Sequence, residues 1–446
     1  MSSLLAELLQ RISRQTPLAV QLGLQRVDYL LDALGNPQHA VPTLHVAGTN
    51  GKGSVLAFLE SVLLQAGWNV GLYTSPHLQQ INERYRWLGQ PVEDATLVRH
   101  LNALWERFPH YQATFFEWLT VLAFVLFREW AESSAQAPRP TLLLLETGLG
   151  GRLDATNVVT PELTLITSID WDHTDYLGGT LAAIAREKAG IFKKGVAAFA
   201  SRQPEEVVAV LRQEAQQLAV PLALQGEDFD HDGKFAAAES WQFWDREGAL
   251  VLPRPALAGK HQYDNAALAV AALRYLQQQQ WPVPEQAIVQ GVANARWPAR
   301  LESFYLADYP GISLLLDGAH NPSGCQVLAA YLTSQQVGRC TFLFAALRDK
   351  EVAQMVAQLQ PFAERVYTVA VGGERALSAQ ELAFFWQGQD CLPVACTDVR
   401  EAMRLALAVT PVPGVIVVCG SLYLAGQVRA LLQESRQGNG LHLAHI

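Results

Sequence analysis

The run His45-Val46-Ala47-Gly48-Thr49-Asn50-Gly51-Lys52-Gly53-Ser54 carries the residue types needed to hold a triphosphate. A glycine-rich turn between a strand and a helix N-terminus aims several backbone N–H groups at one spot, and such a spot binds anions. Lys52 adds a point charge for phosphate, and Ser54 offers a hydroxyl to a phosphate-bound Mg²⁺. The spacing departs from G-x-x-x-x-G-K-[ST]: Val46 stands at the first glycine position, and Gly53 separates Lys52 from Ser54. An ordinary glycine turn is the alternative, but Gly, Asn, Lys and Ser all fall where phosphate chemistry wants them. Residues Gly48, Thr49, Asn50, Gly51, Lys52, Gly53 and Ser54 are therefore expected to form a nucleoside triphosphate site.

Other apolar runs also end in polar turns. Leu142-Leu143-Leu144-Leu145 leads into Glu146-Thr147-Gly148 and on to Arg152-Leu153-Asp154. Glu146 reads as a surface carboxylate or a metal ligand, and the adjacent glycines, which let a ligand approach, favour Mg²⁺. A second run ends in Tyr73-Thr74-Ser75-Pro76-His77, and a third in Asp170-Trp171-Asp172-His173-Thr174-Asp175. The Asp172-His173 pair fits a solvated loop as well as a site, because histidine prefers softer metals than Mg²⁺. Arg186-Glu187-Lys188-Ala189-Gly190-Ile191 reads by spacing as a solvated helix face; a functional lysine there would need a special environment. Leu314-Leu315-Leu316-Asp317-Gly318-Ala319-His320-Asn321-Pro322 repeats the strand-then-turn pattern, with Pro322 suited to the first position of a helix. Trp297-Pro298-Ala299-Arg300-Leu301-Glu302 reads as a plain linker or as a hinge whose arginine reaches a triphosphate when domains close.

These turns must be held by regular elements. Strands are expected at residues 43–47, 69–74, 141–145 and 163–169, with helices at 54–66 and 180–192 and a helix-rich insert at 93–132. Alternating strands and helices imply a parallel sheet, whose ligands bind beyond the carboxyl ends of the strands. The polar stretch 226–248 reads as hairpins or loop, residues 133–140 as a Ser/Ala/Pro linker, and residues 264–278 as a helix. A second α/β pattern starts near Trp297. Its strands are at 312–316, 341–344, 365–371 and 415–419, and its helices at 322–333, 351–359 and 399–409. The boundary falls at Ala295–Arg296, dividing the chain into domains 1–295 and 296–446.

The chain of 446 residues is 50% hydrophobic and 17% charged, the composition of a soluble globular protein with several cores. A net charge of −9 argues against a nucleic-acid binder relying on a basic surface. Residues 1–15 read as an amphipathic helix without the order of a signal peptide, and the best apolar run, 121–127, is too short to span a membrane. The five cysteines lie between Cys325 and Cys419 with no C-x-x-C, and read as reduced, cytosolic core residues.

Taken together, the motifs resemble the bacterial folylpolyglutamate synthase/dihydrofolate synthase family, relatives of the Mur peptide ligases. The likeness spans nearly the whole chain: Gly48 to Ser54, Thr74 to His77, Glu146 to Asn157, Asp172 to Asp175, Arg186 to Ile191 and Asp317 to Pro322, in that order. It implies an α/β fold: a Mur-ligase-like P-loop ATPase domain with a parallel-rich central sheet, plus a smaller C-terminal α/β Rossmann-like domain, with the active site between them. It implies ATP and two Mg²⁺ ions, with Ser75 and Glu146 as ligands of one and His173 of the other. Lys188 resembles the family's carbamylated lysine. Asn265, Arg300 and Asp317 resemble ATP contacts, and His320 a positioning residue. Thr114, Phe116, Asp154 and Ala155 resemble the pteroate pocket, Phe116 stacking on the ring. The segment Leu18 to Val27 departs from the family by lacking the usual Thr and Asp.

The implied reaction is amide synthesis on dihydropteroate or a reduced folate. ATP phosphorylates a carboxylate, and the amine of L-glutamate displaces phosphate. Small-molecule partners and a monomeric state follow from the same likeness; the cysteines point to a cytoplasmic location, and charge and run length to no nucleic acid or membrane. The competing readings are a Mur-type amino-acid ligase on a peptidoglycan precursor, which would place threonines after the lysine, and a non-ligase nucleotide-binding regulator.

Overall fold

The computed structural model describes residues 3–16, 22–134, 139–233, 239–373, 375–388 and 391–436. Residues 18–21 of the departing segment and residues 135–138 of the linker lie outside them. The chain divides into two compact units. The first holds Met1–Ala256 and Gln262–Arg296; the second holds Leu257–His261 and residues from Trp297 onward.

The first unit is built on an eight-stranded sheet of order β4-β3-β2-β5-β1-β6-β7-β8. The strands are β1 (Thr43–Ala47), β2 (Asn69–Tyr73), β3 (Tyr85–Trp87), β4 (Gln90–Pro91), β5 (Thr141–Glu146), β6 (Leu163–Ile166), β7 (Ala198–Ala200) and β8 (Leu222–Leu224). The six strands from β2 to β8 pair in parallel, and the β3–β4 hairpin adds an antiparallel edge. β1 and β2 are buried along their whole length, as strands covered on both faces must be. Helix Lys52–Gln65 follows β1 and is buried on nearly all sides. It begins two residues before the expected start, because Gly51, at φ +94°, takes the N-cap position and turns the chain straight into the helix. The insert forms helices Asp94–Arg107 and Phe115–Ser134. Thr114 and Glu117 cap the second reciprocally: Glu117 N–H donates to the Thr114 hydroxyl at 3.2 Å, and Thr114 N–H donates to the Glu117 carboxylate at 2.7 Å.

Several expectations need correction. The strand expected at 163–169 ends at Ile166, since the next residues turn to hold the phosphate loop. For the polar stretch 226–248 the hairpin alternative holds: it contributes to a three-stranded antiparallel sheet of β9 (Asp230–His231), β10 (Ser240–Asp245) and β11 (Gly248–Pro253). Trp241 and Phe243 alternate inward along β10, a period-2 signal diluted by polar neighbours.

The second unit carries a six-stranded sheet of order β12-β13-β17-β14-β15-β16. Its strands are β12 (Glu302–Tyr305), β13 (Ile312–Leu316), β14 (Cys340–Phe344), β15 (Ala363–Thr368), β16 (Leu392–Ala395) and β17 (Gly414–Cys419). All pairs are parallel except β12 with β13. Of the two readings of 297–302, the plain linker does not hold: the residues form a turn running into β12, with Ala299 and Leu301 at positive φ. Helix Pro322–Ser334 starts as its proline implies, with the Asn321 side chain accepting from Gly324 N–H at 2.8 Å. All five cysteines are free and buried. No helix among the described residues is long and apolar enough to cross a membrane.

Candidate active site

The phosphate loop leaves the end of β1 and is pinned to the turn after β6. Thr49 N–H donates to Ser168 O at 2.8 Å, and the Thr49 hydroxyl accepts from Asp170 N–H and donates to Asp170 O, both at 3.0 Å. Gly48 has φ +150°, and a Cβ there would stand 1.8 Å from Thr167 Oγ1. Only glycine lets the loop run this close to β6. Behind the loop, Asn265 Nδ2 donates to Gln262 Oε1 at 3.0 Å and Gln262 Nε2 donates to Ser54 Oγ at 3.2 Å. A Cβ on Gly51 would strike Asn265 Oδ1 at 2.5 Å, so Asn265 lies directly against the loop. Gln262 was missed in the sequence. It sits three residues before Asn265 on helix His261–Gln278, a spacing that puts both on one face.

Two lysines converge on one acceptor. Lys52 Nζ donates to Gly48 O at 3.0 Å, and Lys188 Nζ donates to the same oxygen at 2.8 Å. Burial, reinforced by the Lys52 charge, pushes the Lys188 ammonium down to about 7, while Asp172 and Asp154 pull the other way. The solvated-face reading of 186–191 holds only for its outer residues. Arg186 pairs with Glu214 and Glu187 with Arg152, whereas Lys188 points into the core.

Ser75 and Glu146 also meet, Ser75 N–H donating to Glu146 Oε2 at 3.0 Å. Both lie at the carboxyl ends of neighbouring strands, β2 and β5. His173, at φ +52°, takes the N-cap position of the short helix Thr174–Leu177 without a side-chain cap bond, its ring 3.8 Å from Asp172 Oδ1. Among the described residues no three His, Cys, Asp or Glu side chains converge on a metal position. Hydroxyl and carboxylate oxygens are nonetheless the donors a hard cation takes, and Mg²⁺ commonly completes its shell with phosphate and water. The donor set of Ser54, Ser75 and Glu146 therefore fits Mg²⁺.

Asp154 organises the turn after β5. Its carboxylate accepts from Gly148 N–H (2.9 Å), Leu149 N–H (2.7 Å), Thr156 N–H (3.0 Å) and the Thr156 hydroxyl (2.5 Å). Thr156 in turn meets Nε2 of buried His45 on β1 at 2.8 Å; burial pushes that imidazole down to about 3 and keeps it neutral. With its acceptor positions taken by the loop, Asp154 holds the turn instead of reaching out from it. The Thr114 hydroxyl is likewise engaged as a helix cap. Ala155 is buried beside Asp154, and Phe116 lies over Gly148, where an added Cβ would be 2.5 Å from the ring.

The second unit gathers Arg300, Asp317 and His320 at the carboxyl end of β13. Asp317 is buried, which pushes its carboxyl up against the opposing pull of Arg300. It accepts from Leu301 N–H and Ala319 N–H, both at 2.9 Å. Ala299 and Leu301, flanking Arg300, have φ of +54° and +49°. The turn is held by Asp317 and by Glu302, which accepts from Ala299 N–H at 2.9 Å. His320 Nδ1 meets Gly318 O at 2.8 Å. Gly48 to Ser54, Ser75, Thr114, Phe116, Glu146, Asp154, Ala155, His173, Lys188 and Asn265 belong to the first unit.

A phosphate loop on a parallel sheet, followed by a second α/β unit, defines an ATP-dependent ligase of Mur-ligase-like architecture. A family model described as dihydrofolate synthetase, C-terminal domain, matches residues 304–432. The Bacillus subtilis dihydrofolate synthase/folylpolyglutamate synthase is 33% identical over 93% of this chain and 96% of its own length. The structure of Escherichia coli FolC in complex with DHPP and ADP superposes with a TM-score of 0.87 at 31% identity, covering 97% of this chain and 98% of that one. A bifunctional folylpolyglutamate synthase/dihydrofolate synthase solved with Mn, AMPPNP and L-glutamate bound gives 0.82 at 32% identity, covering 96% and 98%. The chain belongs to the dihydrofolate synthase/folylpolyglutamate synthase family.

Proposed function

We propose the following division of labour for the reaction of this chain, the ATP-dependent ligation of L-glutamate to a folate. Family membership removes the peptidoglycan ligase and the non-catalytic regulator as readings. The observation that carries the scheme is the pair of lysines on Gly48 O, beneath the turn from Thr49 to Gly53. The N–H groups of that turn and Lys52 bind the β- and γ-phosphates, and Asn265 braces the loop. Arg300 reaches the phosphates and Asp317 faces the ribose, with His320 supporting the second-unit side.

Phe116 stacks on the pterin, against a wall fixed by Asp154, Ala155 and Thr114. The substrate carboxylate oxygen attacks the γ-phosphorus in line; the bond to the β–γ bridging oxygen breaks and ADP leaves. The neutral amine of glutamate then attacks the acyl carbon, phosphate leaves, and the amine proton passes to solvent. The chain's own groups orient these partners and keep water from the acyl phosphate. Ser75 and Glu146, with Ser54 on the phosphate side, would hold one Mg²⁺ and His173 a second, and the ions would neutralise phosphate charge.

Lys188 has a buried amine whose neutral form is well populated near pH 7. We infer that this amine adds to CO₂, forming an N–C bond and releasing one proton, and that the resulting carbamate completes the anionic side of the site. The enzyme acts as a cytoplasmic monomer. Incubation with ATP, Mg²⁺ and glutamate, offering dihydropteroate and tetrahydrofolate in separate reactions, tests the scheme. Glutamylated product and ADP in equal amounts from at least one substrate are expected; ADP release that ignores both substrates overturns it. Sedimentation at several concentrations checks the monomer.

A further inference from the structure

Arg84 is a buried cation that the roles above leave unused. It is 8% exposed, at the end of the 3-10 turn Ile81–Arg84 that enters β3. Two half-buried arginines of this unit pair with carboxylates: Arg86 with Glu60 at 3.1 Å, and Arg26 with Glu117 at 2.8 Å. Arg84 has none among the described residues. Its Nε donates to His77 Nδ1 at 3.0 Å, and its guanidinium lies against the Tyr73 hydroxyl. Both partners are neutral. His77 Nδ1 accepts the Arg84 bond through its lone pair and Tyr73 presents a phenol, so neither supplies a negative charge. A buried charge without a counter-charge is costly, so a site that keeps one is built for an anion from outside the protein.

The surroundings point to which anion. Thr74 N–H donates to Arg84 O at 3.1 Å, tying the residue to the strand end that delivers Ser75. Tyr73 stacks on Phe116 with ring centroids 6.4 Å apart. Arg84 thus adjoins both the aromatic slot and the Ser75–Glu146 pair. The loop between is rigidly built: the Glu83 carboxylate accepts from the N–H groups of Leu78 (2.7 Å), Gln79 (3.1 Å) and Gln80 (3.1 Å). With Nε committed to His77, the outer edge of the guanidinium is the planar donor face that matches a carboxylate. We propose that Arg84 is the subsite for a carboxylate of the pteroyl substrate, with His77 fixing its orientation. This assignment rests on the folate-ligase reading.

The test compares wild type with Arg84→Gln and Arg84→Lys in the full chain. Tryptophan fluorescence gives the affinity for pteroate and for its carboxamide; steady-state assays give KM for dihydropteroate, tetrahydrofolate and ATP. Wild type should prefer the acid to the amide by about 10–100-fold, the value of a charge-assisted contact, and Arg84→Gln should erase that preference. Arg84→Lys should keep part of it, and the KM for ATP should not move. A raised KM for both pteroyl substrates assigns the reacting carboxylate, which dihydropteroate also carries. A raised KM for tetrahydrofolate alone assigns the second carboxylate of its tail. Equal weakening of acid and amide, or a rise confined to ATP, overturns the proposal. If Arg84→Gln does not fold, the acid-to-amide ratio of Arg84→Lys decides. Failure of the underlying reading looks different: wild type itself would form no glutamate-dependent ADP.

Discussion

Two lysine amino groups on one carbonyl oxygen make the first residue-scale predictions. Lys52→Ala should lower kcat by orders of magnitude with the fold intact, as loss of a main electrostatic stabiliser does; near-normal turnover at saturating ATP would count against the phosphate loop. Lys188→Ala should also lose most activity, with partial recovery in a small carboxylic acid standing in for the anion. Because the folded Lys188 titrates near 7 and the unfolded one near 10.5, folding releases a proton between those values. Lys188 therefore adds stability as pH rises through that window, and destabilises below it. At fixed dissolved CO₂, carbamate formation should rise with pH through 7. A ¹³C-carbamate signal after labelling with ¹³CO₂, absent in Lys188→Ala, checks this independently of turnover. Glu146→Gln keeps size but removes charge, and an Mg²⁺ titration of activity should shift to much higher concentration. Lys188 and His173 were the residues least legible in isolation. Spacing put Lys188 among charged neighbours, and only the packing of helix Leu181–Ala189 reveals which of three adjacent charges is buried.

At the scale of elements, strand ends were the legible part. Glu146, Ser75 and Asp317 were all placed by an apolar run followed by a polar turn, and each does sit at or just past a carboxyl strand end. What sequence could not supply was which turns are held by side chains elsewhere. The residues read as a linker before β12 form a turn with two left-handed residues, and such residues persist only when neighbours over-determine them. Asp317 is that neighbour. Asp317→Asn keeps one acceptor oxygen and turns an amide N–H₂ against either Leu301 N–H or Ala319 N–H. The cost should be about 1–3 kcal/mol in urea unfolding, together with a raised KM for ATP as Arg300 loses its fixed turn. Unchanged values for both would mean that the turn holds itself. The stretch holding β10 stays open between hairpin and loop for a related reason: its alternation is real, but the outward positions are polar or exposed and composition masks the period.

At the scale of the whole molecule, nucleotide contacts are assigned to residues of both units, so nucleotide binding should stabilise both. A non-hydrolysable ATP analogue with Mg²⁺ at 100 times its Kd should raise apparent stability by about 2.7 kcal/mol by mass action. Arg300→Ala should shrink that gain in a thermal melt, measured against the variant's own ligand-free melt; an undiminished shift would remove Arg300 from the nucleotide site. The cysteines offer a separate handle. All five belong to the second unit, and burial raises the thiols of Cys325, Cys340, Cys396 and Cys419, Cys340 to about 12. A protonated, shielded thiol is a poor nucleophile, so alkylating reagents must wait for that unit to open. The chain thus carries a built-in clock. The rate of thiol labelling times the opening of one half of the enzyme while the other half stays silent, and added nucleotide should slow it.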